Sequence, residues 1–416
     1  MGKFNTYGWV IMKITDIKVI NLAATKSEGF AKFIRNSPLV GPMEPYEEYA
    51  EKREMWTGGN DWIVPVVIIR TDEDIEGYGF CGGGTASAGE ILIENHFKNY
   101  LIGSDPFDTE ELWDKMFRAS IVFGRKGAAI EALSGVDTAL WDIKGKALNV
   151  PVYKLLGGKT KNRIKLYASN LHPSNIHNPD YELLAKEALD YVKQGYRGMK
   201  QRACAGPREG RQGIEKNEML VKTVREAVGD DIDIMIDPYM GWGDVEYSVE
   251  MTKRLEKYNL TWVEEPLLPD DFEGYKYLRS KVGVPIAAGE HEYTRFGFRE
   301  LIIQKIVDII QPDLRRLGGI TEAKKVAAMA EAFNVPCAPH VAYAETLHFV
   351  MSCPMIKWAE DTCVPSWEKK DEEGGFSDAY IIGAPKAKNG YMELDENKPG
   401  LGIELNMEVI ERLTIK

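Results

Sequence analysis

Residues 232–290 read IDIMIDPYMGWGDVEYSVEMTKRLEKYNLTWVEEPLLPDDFEGYKYLRSKVGVPIAAGE. Three short apolar runs, 232–237, 261–265 and 285–290, are separated by amphipathic stretches, and each run ends in an acid. Apolar runs of this length bounded by polar residues read as buried strands, and the stretches between them carry the helical period. The texture extends in both directions. Runs at 165–169 and 198–202 precede the quoted stretch, and runs at 307–313, 335–340 and 356–360 follow it. One intervening helix has Thr321 placed to cap its N-terminus and ends at Asn334, before Val335-Pro336. Eight strand–helix units recurring every ~20–35 residues predict a (β/α)8 barrel, its last units lying close together. A doubly wound open sheet is the competing arrangement, but no Gly-rich dinucleotide fingerprint follows an early strand.

The N-terminal part reads differently. Residues 2–11 look like an extension before a strand that starts at Met12. Strand signals recur at 63–69 and 77–80, and two helical segments follow. In the second, Leu133, Val136, Leu140, Ile143 and Ala147 form one apolar stripe. The stretch 27–61, with Arg35, Arg53 and Trp56, reads as loops around one short helix. Strands followed by segregated helices predict an α+β domain. The expected organisation is an α/β chain: an α+β capping domain over 12–155, a modified barrel over 156–378, and a segment 379–416 that packs back on the first domain.

Composition narrows the function. With 44% hydrophobic residues in 416, the chain can bury a large core. A net charge of -12 argues against nucleic acid as a partner. An anionic substrate then requires local cations or a metal. Cys81, Cys204, Cys337, Cys353 and Cys363 are scattered, without CxxC spacing, as in a protein of a reducing compartment. No apolar run approaches the ~18 residues of a spanning helix, and a cytoplasmic, soluble protein is expected.

In a barrel the strand C-termini converge on one mouth, so the last residue of each run is where chemistry belongs. Asp237, Glu264 and Glu290 end strands three, four and five. Three acids so placed repel unless a cation neutralises them, and all-oxygen ligation points to a hard ion such as Mg2+. Glu265 neighbours Glu264 but points to the other face of the strand, which makes it the weaker ligand candidate. Lys200 and Arg202 end strand two and face the same way. Both can balance the acids; Arg202 cannot serve as a base, and Lys200 can only if its pKa is lowered. His340 ends strand seven and Asp313 ends strand six, so a carboxylate can orient one ring nitrogen and leave the other to move a proton. His96, His172, His177 and His348 have no such placement, and His291, after Glu290, either contacts substrate or caps the next helix. These parts suit abstraction of the proton next to a carboxylate. Enolase-superfamily sites using a Lys or His base with magnesium are a known example.

The run Val136-Asp137-Thr138-Ala139-Leu140-Trp141-Asp142, then Gly145-Lys146 and residues 151–158, resembles the signature of the mandelate racemase branch of the enolase superfamily. The stretches 41–43, 46–49, 289–292, 311–313, 318–319, 339–340 and 398–406 are most similar to the sugar-acid dehydratases, rhamnonate dehydratases in particular. The resemblance implies a capping domain over a modified barrel. It implies Asp237, Glu264 and Glu290 as magnesium ligands, His340 as the proton-transferring residue with Asp313 behind it, and Arg53 as a substrate-binding arginine. Three departures stand out. No histidine occurs near Ser37-Pro38, where the rhamnonate enzymes carry one. Their strand-eight glutamate aligns with Lys357, the nearest acid being Glu360. Strand two carries Lys200-Gln201-Arg202. The expected activity is dehydration of an aldonate to its 2-keto-3-deoxy acid. Lys200 or His340 is the first base, and Arg53, Arg202, His291, Lys357 and Glu360 contact substrate. A racemase or epimerase on the same scaffold, and an inactive sugar-acid-binding protein, are the alternatives. A homo-oligomer, dimer or octamer, without nucleic-acid or membrane partners, is expected.

Overall fold

The structure, a computed structural model, describes residues 12–23, 26, 40–52 (backbone alone for 50–52), 62–83, 87–173, 175, 177–363, 365–366 and 380–415. Arg53 and most of the stretch 27–61 lie outside the described residues.

Three strands, β1 (Ile14–Ala23), β2 (Ile63–Thr71) and β3 (Glu76–Phe80), form an antiparallel sheet in the order β1-β2-β3. Helix α2 (Ala128–Ala147) packs on it, and helix α1 (Thr109–Ser120) packs against α2. Glycines allow the closest approach. A Cβ at Gly79 would stand 1.9 Å from the Gly135 carbonyl oxygen, and one at Gly77 would stand 2.2 Å from that of Ala139. Backbone meets backbone there, so any side chain would push helix and strand apart.

The stripe read on α2 is only half of its surface. The helix is buried nearly all round, because its polar side carries the docking of this layer on the barrel. Ser134 Oγ accepts from the Gly318 amide at 2.9 Å, Asp137 Oδ2 accepts from the Thr321 amide at 2.9 Å, and Trp141 Nε1 donates to Thr321 Oγ1 at 2.8 Å. These contacts correct the cap assigned to Thr321. The helix there runs Gly319–Ala332 and starts after Gly318, so Thr321 lies inside its first turn. Glycine brings no side-chain acceptor, and the carboxylate of Asp137 on α2 supplies one from across the interface.

The barrel strands are β4 (Ile164–Leu171), β5 (Gly198–Arg202), β6 (Asp233–Asp237), β7 (Trp262–Glu264), β8 (Ile286–Ala288), β9 (Ile309–Ile310) and β10 (Ala359–Asp361). They pair in parallel in the order β10-β4-β5-β6-β7-β8-β9. Helices α3 (Tyr181–Lys193), α4 (Gly210–Val228), α5 (Val245–Leu255), α6 (Phe272–Lys281), α7 (Thr294–Ile303), α8 (Gly319–Ala332) and α9 (Ala344–Ser352) alternate with them. The expected seventh strand is reduced to a bridge between Ile310 and Cys337, flanked by Ile310 N–H to Pro336 O at 3.0 Å and Ala338 N–H to Ile310 O at 2.9 Å. Pro336 and Pro339 have no N–H to give a ladder, so the run cannot pair regularly. The Ala342 amide reaches Glu360 O at 2.7 Å and links this run to β10. Tyr167, Met235, Trp262, Ala287 and Ala338 fill the barrel interior beneath the mouth.

The C-terminal segment touches both parts. Leu405 pairs with Ile381, Tyr391–Met392 runs antiparallel to β4, and Thr414 bridges to Leu22 of β1. Asp142 of α2 anchors it: its Oδ1 accepts from the Leu401 amide at 2.7 Å, and its Oδ2 accepts from Tyr78 at 3.0 Å and pairs with Lys146 at 2.7 Å. The neighbouring His348 is a structural histidine. Its Nε2 lies 3.1 Å from Leu401 O, and its Nδ1 accepts from the Tyr153 amide at 3.2 Å, which defines the tautomer. Burial pushes its pKa down to about 4. An unfolded imidazole binds its proton near pH 6.5, so acid favours the unfolded chain. Stability from this site is present above pH ~6.5 and is lost as the pH falls towards ~4, about 3 kcal/mol in all. Thermal melts between pH 7 and 4 should show a steeper loss in the parent than in His348→Gln. Equal slopes would remove His348 as the cause.

Candidate active site at the barrel mouth

Parallel register sets the site. Gln201 pairs with Leu171, Arg202 with Asp237, and Ile236 with Val263, so consecutive strands deliver their last residues to one level. Asp237, Glu264 and Glu290 are each at most 3% exposed, and Glu360 is 1% exposed. So many buried carboxylates require cations. Lys200, fully buried, supplies one: it pairs with Glu264, with Glu360 at 2.9 Å and with Asp237 at 3.4 Å. Burial disfavours its charge, but Glu264, Glu360 and Asp237 overcome that and raise its pKa. Lys200 is therefore an ammonium among carboxylates, which is the reverse of the lowered pKa that a lysine base needs. Arg202 pairs with Asp237 in the same way.

His340 holds the other side. Its Nδ1 lies 2.7 Å from Asp313 Oδ2, and its Nε2 lies 3.2 Å from Glu290 Oε2. Burial works against protonation, but Glu290, Glu360 and Asp313 outweigh it and push the His340 pKa up to about 9. Asp313 is held below the usual carboxylate range against its own burial by the His340 hydrogen bond and charge and by Arg316. The dyad expected across strands six and seven thus has its carboxylate on one nitrogen and the acid cluster on the other.

Strand eight needs a correction. Lys357 is exposed and precedes β10, outside the mouth, because the strand starts at Ala359 and not at 356. Glu360 takes the inward position, accepting from the Val341 amide at 3.1 Å as well as pairing with Lys200. Glu265 also departs from the strand rule. Strand β7 ends at Glu264, and Glu265 has a left-handed φ of +37°, so alternation no longer governs its direction. Its Oε2 lies 2.6 Å from His291 Nδ1, and its carboxylate, Glu290 and His291 can approach one ion together.

Several site residues escaped the sequence reading. Trp262 stands two residues before Glu264 on the same face of β7, and Gln311 stands two residues before Asp313 just past β9; both donate to Glu264 Oε2, at 2.9 and 2.6 Å. That i, i+2 relation was the signal. Arg316 lies 3.5 Å from Glu290 Oε1 and 3.7 Å from Asp313 Oδ2, beyond any strand, so no period marked it. His172 follows β4, which continues to Leu171 and not only to Ser169. Burial, Arg202 and Lys200 keep its pKa well below the usual value, so the ring is neutral.

The donor set fits a hard divalent cation. Asp237, Glu264 and Glu290 offer only oxygens, and the buried Glu290 Oε2 makes no hydrogen bond among the described residues beyond its 3.2 Å ion-pair approach to His340 Nε2. Burial and the neighbouring acids raise the Glu264 pKa even against Lys200, a strain that a bound cation relieves.

Comparison with known proteins shows the family. Residues 183–409 match the enolase C-terminal domain-like family, and residues 57–157 match the mandelate racemase / muconate lactonizing enzyme N-terminal domain. A Caldivirga maquilingensis protein provisionally named L-rhamnonate dehydratase is 34% identical over 376 residues, 90% of this chain and 89% of that one. The Mg complex of rhamnonate dehydratase from Gibberella zeae superposes with a TM-score of 0.86 at 33% identity, covering 99% of this chain and 98% of the other. The 3,6-anhydro-D-galactonate cycloisomerase of Zobellia galactanivorans does so with a TM-score of 0.78 at 30% identity, covering 97% and 100%.

Proposed function

The chain belongs to the mandelate racemase branch of the enolase superfamily, and from that membership we propose that it is a Mg2+-dependent sugar-acid dehydratase converting an aldonate to its 2-keto-3-deoxy acid. The observation that carries the reading is the Asp313–His340 dyad, whose free nitrogen faces Glu290 of the acid triad. Relatives named as rhamnonate dehydratases support the same reaction class.

Asp237, Glu264 and Glu290 would hold the magnesium ion, which when bound offsets the negative charge that develops as the proton next to the substrate carboxylate leaves. The acid cluster by itself holds His340 protonated. With a cation drawing on the Glu290 charge, His340 Nε2 would release that proton and could then remove the one at carbon two and return it to the departing 3-hydroxyl, so that one water leaves and the enol becomes the keto acid. Asp313 keeps the ring oriented and steadies the imidazolium between the two steps. Lys200 is assigned to charge balance beside Glu264 and Glu360, because its three carboxylate partners keep it protonated. Arg202, His291 and Glu360 border the substrate. Glu360, taking the inward position at the end of β10, supplies an acid there and counts against an inactive scaffold.

One observation favours a second reading. The Glu265–His291 pair is another imidazole–carboxylate dyad, its Nε2 lying 3.6 Å from Glu290 Oε1, and an epimerase needs two such groups. Purified protein with Mg2+ should be incubated in D2O with pentonates, hexonates and 6-deoxyhexonates. The expected result is a 2-keto-3-deoxy product from at least one of them. Deuterium at carbon two of recovered substrate without keto acid would replace dehydration by epimerisation, and silence across the panel with magnesium bound would overturn both.

A further inference from the structure

Immediately after β6, the backbone makes a turn that few side chains tolerate. Tyr239 and Met240 are consecutive non-glycine residues in the left-handed region, at φ of +48° and +63°. The turn is pinned from three directions: the Tyr239 amide donates to Asp237 Oδ1 at 2.7 Å, the Met240 amide to Glu265 O at 2.6 Å and the Gly241 amide to Pro238 O at 2.8 Å. Such conformations persist where the surroundings over-determine them, often at sites of function. Here the result is to lay the Tyr239 ring across the mouth. The ring packs edge-on to His291 at 5.4 Å between centroids, has the Arg202 guanidinium 5.7 Å from its centroid, and lies beside Gly41 from the N-terminal part. It therefore links Arg202, at the end of strand two, with His291, which follows strand five.

Its hydroxyl belongs to a relay. Glu265 Oε2 lies 2.6 Å from His291 Nδ1, and His291 Nε2 lies 3.4 Å from Tyr239 Oη. An ionised carboxylate only accepts, so Nδ1 carries the hydrogen and Nε2 is left to accept from the phenol. With its hydrogen directed to His291, the Tyr239 oxygen can act towards a substrate hydroxyl only as an acceptor. The acid triad and the Asp313–His340 dyad account for carbons one to three of an aldonate, and nothing in them reads the rest of the chain.

We propose that Tyr239 is a substrate-specificity residue that accepts a hydrogen bond from a hydroxyl beyond carbon three of the aldonate, and that Glu265 is its positioning residue, acting through His291. This rests on the aldonate reading given under Proposed function. A site that hydrogen-bonds a substrate hydroxyl discriminates against the analogue that lacks it, so the relay would select among sugar acids of different length and oxidation pattern.

Steady-state kinetics on the aldonate turned over by the parent, with its 4-deoxy and 5-deoxy analogues, test the proposal in Tyr239→Phe, Glu265→Gln and the double variant. Loss of one such hydrogen bond should raise KM about tenfold in Tyr239→Phe, with kcat altered much less. The rise should vanish for the one deoxy analogue that lacks the contacted hydroxyl, an effect that a merely structural role would not produce. Glu265→Gln should raise KM similarly, and the double variant should be no worse than Tyr239→Phe. An unchanged KM in Tyr239→Phe overturns the proposal, as does an equal rise for every analogue. Multiplying effects in the double variant overturn the relay. Should Glu265→Gln fail to fold, the Tyr239→Phe analogue series decides alone. A parent that dehydrates no aldonate fails one step earlier, at the reaction class, and takes this inference with it.

Discussion

His340→Asn is expected to abolish turnover, by about a thousandfold or more, while Mg2+ affinity stays within a few fold of the parent. The His340 ring touches the acid cluster only through Nε2, 3.2 Å from Glu290 Oε2, and it contributes no oxygen to the Asp237, Glu264 and Glu290 set. Its other nitrogen is committed to Asp313 at 2.7 Å. Asparagine preserves a polar group near Asp313 but cannot shuttle a proton at neutral pH, so chemistry is lost and cation binding is spared. Isothermal titration with Mg2+ beside a keto-acid assay separates the two properties. A variant with near-parental turnover would end the assignment of His340. A variant that loses magnesium as well would move His340 from proton transfer to holding the cluster together.

Glu264→Gln is expected to lower Mg2+ affinity by about two orders of magnitude and activity with it, since one of three anionic ligands becomes neutral. Glu264 is the most elaborately held of the three. Lys200 pairs with its Oε1, and Trp262 Nε1 and Gln311 Nε2 converge on its Oε2. Glutamine can satisfy Trp262 and Gln311 with its one oxygen, but its amide group then faces the Lys200 ammonium. Metal-free folding should be affected less than metal binding, because burial already disfavours the charge on Glu264. Titration of the metal-free variant with Mg2+ checks the affinity, and a thermal melt in chelator checks the fold. Parental affinity in Glu264→Gln would take Glu264 out of the ligand set and turn attention to Glu265, whose carboxylate shares reach of one ion with Glu290 and His291.

Both expectations draw on residues that the sequence had already marked. Alternation along a strand is a short-range rule, and it holds wherever the strand is regular. It placed Asp237 and Glu264 at the ends of β6 and β7, and Lys200 and Arg202 on one face of β5. It fails one residue further on. Glu265, Tyr239 and Val341 all follow strand ends with positive φ, and each turns in a direction that no period-two pattern foretells. The seventh strand shows the same limit: two prolines keep the apolar run in place in the barrel while denying it a ladder. Lys357 was aligned with the mouth only because the start of β10 cannot be read to within three residues from an apolar run.

The sequence by itself determined the alternation of strands and helices, the convergence of acids on one mouth, and the pairing of Asp313 with His340. Those features depend on local period and on the parallel order of the strands. Only the tertiary structure decided that Lys200 is shared by three carboxylates, that Arg316 lies between Asp313 and Glu290, that Asp137 completes a helix end in the other layer, and that Glu265, His291 and Tyr239 form one relay. Each joins groups from different elements through side chains at strand ends, turns and interfaces. There, contact follows from how the elements pack and from where the backbone leaves its regular period, and neither is written in the spacing of residues along the chain.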